Sequence, residues 1–343
     1  MLVSDLDFNY PEELVALKPE VSSRIMFIGS QSEPEEISLE KLLAKFSSGD
    51  VLVLNDTRVL KRRVFSTDQV EILFLDSEDK INWEVLFPSK KYSVGSVLQL
   101  PGGIEMKLAA KGRPQKVQVS KPLTDVYFSK VGELPLPPYI QKARGERHNV
   151  ASDESWYQTV WATKPGSFAA PTASLHFKNE HLQLLKEKGV IITYVTLHVG
   201  LGTFLPVTAE DLDHHEMHPE WVEVPATTWS AIESAKSKGK KIWALGTTVC
   251  RSLESVPRGL LNRQDDGVYQ GLTNLLLQPR ETEAGSDFKV VNVLLTNFHQ
   301  PKSTLLALVA SFAGLERVKT CYKWAIERKF RLFSYGDLSV WEK

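Results

Sequence analysis

The segment VVNVLLTNFHQPKSTLLALVASFAG occupies Val290 to Gly314. Its first part, with Val290, Val291, Val293, Leu294 and Leu295, is an apolar, largely β-branched run of the kind that forms a buried strand. A polar knot follows: Thr296, Asn297, His299 and Gln300. Pro301 then predicts the first turn of a helix, since its missing N–H is not needed there, and Gly314 predicts the helix stop. Strand, polar loop and helix in this order put the loop at the carboxyl end of a strand, where α/β proteins place ligands. Free amides at the helix start, together with Lys302, suit an anion.

Outward from this segment the same alternation recurs. Val51–Leu54 reads as a strand closed by Asn55-Asp56-Thr57-Arg58. Val190–Val199 is a second strand, and Lys241–Leu245 a third that runs through Gly246-Thr247-Thr248 into a helix at Val249–Ser255. Helices are expected at 6–17 (opened by Pro11-Glu12-Glu13), 38–46, 179–188, 227–238 and 317–330, with a last short strand at 333–336. From Lys61 to Val150 the texture changes to short alternating segments at 70–75, 83–87, 97–100, 105–110, 116–119 and 126–128, punctuated by Gly and Pro. Residues 139–150 read as a polar stretch without regular structure. The expected architecture is α/β: a large α/β barrel-like domain from residues 1–60 and 151–343, with a smaller all-β barrel domain inserted at 61–150.

Composition excludes several classes. A net charge of −1 and 24% charged residues advertise no global polyanion partner. The insert alone carries 15 Lys and Arg against 10 Asp and Glu, a local basic bias that suits a nucleic-acid surface or an ordinary solvated face. Cys250 and Cys321 are too few for a disulfide framework and point to a reducing cytoplasm. No apolar run is long enough to span a bilayer, and the acidic N-terminus does not read as a signal peptide.

Single motifs argue mostly by elimination. Lys302-Ser303-Thr304 lacks the preceding glycines of a phosphate loop, and Gly200-Leu201-Gly202 lacks the third glycine of a dinucleotide fold. His214-His215-Glu216-Met217-His218 does not match the His-Glu-x-x-His zinc pattern, and no Gly-x-Ser-x-Gly elbow is present. Gly246-Thr247-Thr248 with Arg251 is the more suggestive piece, a small-residue helix start open to a negatively charged group.

Seven segments taken together resemble one family. They are GDVLVLNDTRV (Gly49–Val59), AAPTASLHF (Ala169–Phe177), TLHVGLGTFLPV (Thr196–Val207), MHPEWVEVP (Met217–Pro225), LGTTVCRSLES (Leu245–Ser255), LLTNFHQPKSTLLALVASFAG (Leu294–Gly314) and FSYGD (Phe333–Asp337). Their order is that of the S-adenosylmethionine:tRNA ribosyltransferase-isomerases of the queuosine pathway. Ser174 replaces a usual glycine, Trp156 a frequent arginine, and the tail after Asp337 departs from the usual one.

The resemblance implies transfer and isomerisation of the ribosyl group of S-adenosylmethionine onto 7-aminomethyl-7-deazaguanine at the tRNA wobble position, with release of adenine and methionine. It calls for no resident cofactor, because S-adenosylmethionine is consumed as a substrate. The implied partners are that tRNA and S-adenosylmethionine, with no membrane, the chain acting as a cytoplasmic monomer. Candidate proton carriers are Asp56, His176, His198, His218, Glu220 and His299. Candidate substrate-binding residues are Arg58, Gly246, Thr247, Thr248, Arg251 and Lys302. Lys61, Arg62 and Arg63 are expected to contact tRNA from the insert. An inactive tRNA-binding relative and a generic α/β nucleotide or sugar-phosphate enzyme are the alternatives.

Overall fold

A computed structural model describes residues 1–343 apart from 21–23, 31, 201, 203–206, 281–283 and 286. One reading falls partly outside the described residues: the 196–207 segment with its Gly-Leu-Gly turn. The chain forms two compact units, Met1–Arg58 with Ser155–Lys343, and Val59–Glu154.

The larger unit is built on a ten-stranded mixed sheet. Its order is Asn262–Arg263, Tyr269–Thr273, Glu220–Val224, Ile191–Leu197, Val51–Asn55, Ile242–Leu245, Val293–Asn297, Leu338–Glu342, Ile25–Ile28 and Glu35–Ile37. Four central strands are mutually parallel: Ile191–Leu197, Val51–Asn55, Ile242–Leu245 and Val293–Asn297. Val51–Asn55, Ile242–Leu245 and Val293–Asn297 are buried at every residue, which is why they read as continuous apolar runs. Leu338–Glu342 pairs antiparallel to Val293–Asn297, and Glu220–Val224 antiparallel to Ile191–Leu197. The order has two free ends, so the barrel-like form expected of this body is replaced by an open mixed sheet.

Buried carboxylates hold the sheet at the amino ends of its parallel strands. Asp50 is 2% exposed and accepts from Ser47 N, Lys241 N and Trp243 Nε1, each at 3.0 Å. Glu254 is fully buried and accepts from the backbone of Lys289, Val290 and Val291 at 2.8–3.0 Å and from Arg258 Nη1 at 2.8 Å. Each satisfies backbone donors where a strand begins, before a ladder partner takes over.

Local signals failed where an alternative tie was stronger. The helix expected at 6–17 is two 3₁₀ turns, Val3–Leu6 and Glu12–Leu14. Leu332 N–H donates to Leu14 O at 2.7 Å and Val15 bridges Leu332, so extended backbone takes over. Pro301 lies outside its helix, which runs Thr304–Ala313. Lys302 sits at φ 56°, and Ser303 caps the helix by accepting from Leu306 N at 3.2 Å. The strand expected at 333–336 is a turn, with Gly336 N–H donating to Phe333 O at 2.9 Å; the strand is Leu338–Glu342.

The smaller unit is a six-stranded antiparallel sheet. Its order is Arg63–Phe65, Glu71–Phe74, Asn82–Leu86, Gln115–Val119, Ile104–Ala110 and Val97–Leu100. Thr67 N–H donates to Gln99 O at 2.8 Å, drawing the two edges together into a nearly closed barrel. Ile104–Ala110 and Gln115–Val119 alternate buried and exposed along their length, one face to the core and one to water. The segment at 126–128 is not a strand. Thr124 caps a helix, Asp125–Val131, whose Phe128 stacks edge-on against Phe74 and Trp83 at 5.4 Å. Residues 139–150 also contain a helix, Pro138–Arg144, with Pro138 in its first turn and Gly145 closing it at φ 69°.

Lys61, Arg62 and Arg63 are committed to the unit's own structure and do not form the exposed basic run expected of them. Arg63 is 1% exposed and donates to Glu71 at 2.7 Å, to Glu133 and Asn149 at 2.9 Å, and to the Arg147 carbonyl. Arg62 lies over the Phe128 ring at 4.1 Å and bonds Asp125 at 3.1 Å, and Lys61 pairs with Glu154. Arg63→Gln is expected to destabilise the protein by about 3 kcal/mol in urea unfolding, because it removes a buried cation that ties together two partly buried carboxylates and an asparagine, whereas Lys61→Gln costs under about 1 kcal/mol.

Candidate active site

The carboxyl ends of the four parallel strands deliver Asn55, Leu197, Leu245 and Asn297 to one edge of the sheet. Asn55 is fully buried and joins three elements there. Its Oδ1 accepts from Thr57 N and Leu197 N at 3.1 Å; its Nδ2 donates to Leu197 O at 3.0 Å and to Thr248 Oγ1 at 3.3 Å. The strands at 51–55 and 191–197 and the helix Thr247–Ser255 are thereby held in one arrangement.

On this clasp sit Asp56 and His198. Thr196 Oγ1 donates to Asp56 Oδ1 at 2.6 Å, and Thr57 Oγ1 lies 2.7 Å from His198 Nδ1. The His198 ring stacks on Trp221 at 5.3 Å and 19°. Gly166, at φ 157°, lies beneath it, where a Cβ would come within 2.5 Å of His198 Nε2. Burial holds the His198 pKa below its usual value, against a smaller opposing pull from the Asp56 carboxylate. His198 is thus a neutral imidazole at pH 7, oriented on three sides and able to take a proton.

His176 and Asn297 form a second polar group. Asn297 Nδ2 is 3.2 Å from His176 Nε2, and Asn297 Oδ1 accepts from Thr172 Oγ1 at 2.7 Å. An amide nitrogen only donates, so His176 Nε2 accepts and the imidazole is neutral. Desolvation lowers its pKa to about 4. Nearby, the Ser174 hydroxyl is fully buried with no hydrogen-bond partner among the described residues.

The remaining candidates divide. Gly246 caps Thr247–Ser255 at φ 105° with no side-chain cap, leaving the amides of Thr247 and Thr248 at an open helix start. Glu220 and Arg251 form a buried ion pair, in which Glu220 Oε1 also accepts from Gly200 N at 3.0 Å and Arg251 Nε donates to Leu275 O at 3.1 Å. The pair lies beside the edge, and Arg251 Nη2 has no hydrogen-bond partner among the described residues. His299 Nε2 lies 2.8 Å from Thr296 Oγ1 while its N–H donates to Tyr322 OH at 2.9 Å, locking the loop. Lys302 pairs with Asp7 at 2.7 Å, both half exposed, and its N–H donates to Leu6 O, so it serves the N-terminal segment. Arg58 is exposed, and His218 lies in a loop beside Gly202.

Asn55, Thr57, Gly166, Trp221 and Asn297 complete the edge but carry no proton at neutral pH, so a search for acids and bases passes over them. The signal for the two asparagines was nonetheless present: each ends an apolar β-branched run.

Two measurements follow from this chemistry. Burial takes His299, 9% exposed, to about pKa 3, so the unfolded chain binds its proton first as pH falls below about 6.5. The stability gap between wild type and His299→Gln should therefore shrink by about 1.4 kcal/mol per pH unit between pH 6.5 and 3. Ser174→Ala removes an unsatisfied hydroxyl and should leave unfolding stability equal or raise it by about 1 kcal/mol.

Comparison with known proteins places the whole chain among relatives. Residues 3–340 match the family described as queuosine biosynthesis protein. The S-adenosylmethionine:tRNA ribosyltransferase-isomerase of Acidithiobacillus ferrooxidans is 42% identical over 348 residues, 96% of each chain. That of Halothermothrix orenii is 40% identical over 352 residues, 98% of each. The crystal structure of the S-adenosylmethionine tRNA ribosyltransferase of Thermotoga maritima is similar with a TM-score of 0.55 at 27% identity, covering 98% of this chain and 99% of that one. Matched along all but its outermost residues, the chain belongs to the queuosine biosynthesis protein family.

Proposed function

We propose that the chain is an S-adenosylmethionine:tRNA ribosyltransferase-isomerase. It moves the ribosyl group of S-adenosylmethionine onto 7-aminomethyl-7-deazaguanine at the tRNA wobble position, forms epoxyqueuosine, and releases adenine and methionine. The observation that carries this reading is the near full-length match to four relatives of that name at 37–42% identity. The reaction is proposed for a cytoplasmic monomer, with S-adenosylmethionine as a consumed substrate and no resident cofactor.

The sheet edge supplies groups for each demand of the chemistry. The donor's sulfonium acidifies the adjacent ribose C5′–H, and removal of that proton needs a neutral base held in place. His198 fits, with its ring fixed by Thr57, Trp221 and Gly166. Departure of adenine is helped by hydrogen bonding to the purine, for which His176 and Asn297 offer a neutral polar pair at the carboxyl end of another parallel strand. The acceptor amine then attacks, the epoxide closes, and methionine leaves with the sulfonium electrons. The amides of Thr247 and Thr248 at the helix start suit the donor's carboxylate, and exposed Arg58 suits a tRNA phosphate.

Purified protein mixed with S-adenosylmethionine and tRNA carrying the deazaguanine should release adenine and raise the nucleoside mass. Tight tRNA binding without adenine release would overturn the assignment in favour of an inactive relative. His198→Gln should lower kcat by about 10²–10⁴-fold. For the wild type, kcat/KM should fall on the acid side below pH 6.5, where His198 protonates, and be level above it. Retention of that acid limb in His198→Gln would remove His198 from the base role.

A further inference from the structure

The smaller unit has one strongly charged region that its own fold leaves unused. Between Val85 and Val119 the chain holds Lys90, Lys91, Lys107, Lys111, Arg113 and Lys116 against a single acid, Glu105, in a protein whose overall net charge is −1. All six cations are exposed, and none makes an ion pair within 4 Å among the described residues. Lys61, Arg62, Arg63 and Arg144 of the same unit are all paired to carboxylates. The fold therefore spends one set of cations on itself and presents the other to solvent.

The ladders gather the six at one corner of the six-stranded sheet. Lys107 is opposite both Gln118 and Val97, and Lys116, two residues before Gln118 and likewise exposed, is opposite Ala110 across a register shift. The hairpin between these two strands carries Lys111 and Arg113. Gln115 Nε2 donates to Ser89 Oγ at 3.0 Å and to Phe87 O at 3.3 Å, which sets the 3₁₀ turn Ser89–Lys91 beside that hairpin. Glu84, opposite Lys116, and Glu105 border the corner without pairing to it. Exposed Val97 and Val94, at 48% and 61%, lie alongside.

We propose that this corner is the surface on which the smaller unit takes the RNA phosphate backbone. Unpaired cations on a rigid sheet suit a regularly spaced polyanion, and binding releases the counterions of each phosphate neutralised. Apolar side chains between the cations suit ribose, with no demand for base identity. This rests on the tRNA reading above and replaces Lys61, Arg62 and Arg63 as the contact.

The test measures tRNA binding by the full chain against salt concentration. The combined variant Lys90→Gln, Lys91→Gln, Arg113→Gln and Lys116→Gln should bind on the order of tenfold to hundredfold more weakly at 0.1 M salt. Its slope of log affinity against log salt should be shallower by about 3. Lys90→Arg, Lys91→Arg and Lys116→Arg together should keep the wild-type slope. A control removing equal charge elsewhere (Lys41→Gln, Lys186→Gln, Lys238→Gln and Lys323→Gln) should also keep it. An unchanged slope in the corner variant, with an unchanged melting temperature, overturns the surface while adenine release by the wild type leaves the enzyme reading standing. An equal loss in the control overturns it too, by showing that total charge is what matters. Loss of affinity for an acidic protein but not for tRNA would reassign the corner to a protein partner. A shallower slope in the corner variant, with a wild type that releases no adenine, would support the surface and sink the enzyme reading.

Discussion

The side chain of Asn55 is the constraint on which the candidate site depends. A buried amide has two donors and an acceptor that must all be met, and here they are met by two strands and a helix start at once. An apolar residue of the same size would pack at this position, but it would leave the Leu197 amide and the Thr57 amide without a partner. The clasp therefore sets the spacing between the Val51–Asn55 and Ile191–Leu197 strands at the point where Asp56, Thr57 and His198 leave the sheet. Asn297 repeats the device two strands away, tying Thr172 and His176 to the end of Val293–Asn297.

The opposite edge is organised by charge. Asp50 and Glu254 are almost wholly dry, and each is surrounded by amide donors that stabilise the carboxylate. They fix where the parallel strands start, as the asparagines fix where they end. Burial acts oppositely on the histidines. His176 and His299 are driven to the neutral form by desolvation, with the Arg331 charge adding to it at His176. His198 is partly accessible and has the Asp56 carboxylate opposing its desolvation, which suits a group that exchanges a proton.

The smaller unit shows the same economy in its cations. Arg63 is buried among two glutamates, an asparagine and a carbonyl, so a residue that reads as surface charge is a structural pin. Its sequence neighbours follow it inward. The cations that remain in water lie fifty residues further on, in hairpins and at the end of a strand, and nothing in a count of charge separates the two sets.

Much of this was legible in the residues. Runs such as VLVLN, IWAL and VLLTN must be buried strands because no other local structure hides them on both sides, and the alternation of 104–119 could only be a one-faced antiparallel sheet. The polar residues ending those runs were equally visible, as was the family to which their order corresponds. The helix lost at 6–17, the helix found at 125–131 and the strand displaced to 338–342 were decided by partners far along the chain: Leu332, Phe74 and Trp83, and the Val293–Asn297 strand. The same holds for the site. Glu220 and His299 read as proton carriers and Arg251 and Lys302 as substrate-binding groups, and each has a partner that only folding supplies. Residue type states what a side chain can donate, accept or ionise; which of those capacities stays available is set by the distance to its partners, and that is a property of the tertiary structure alone.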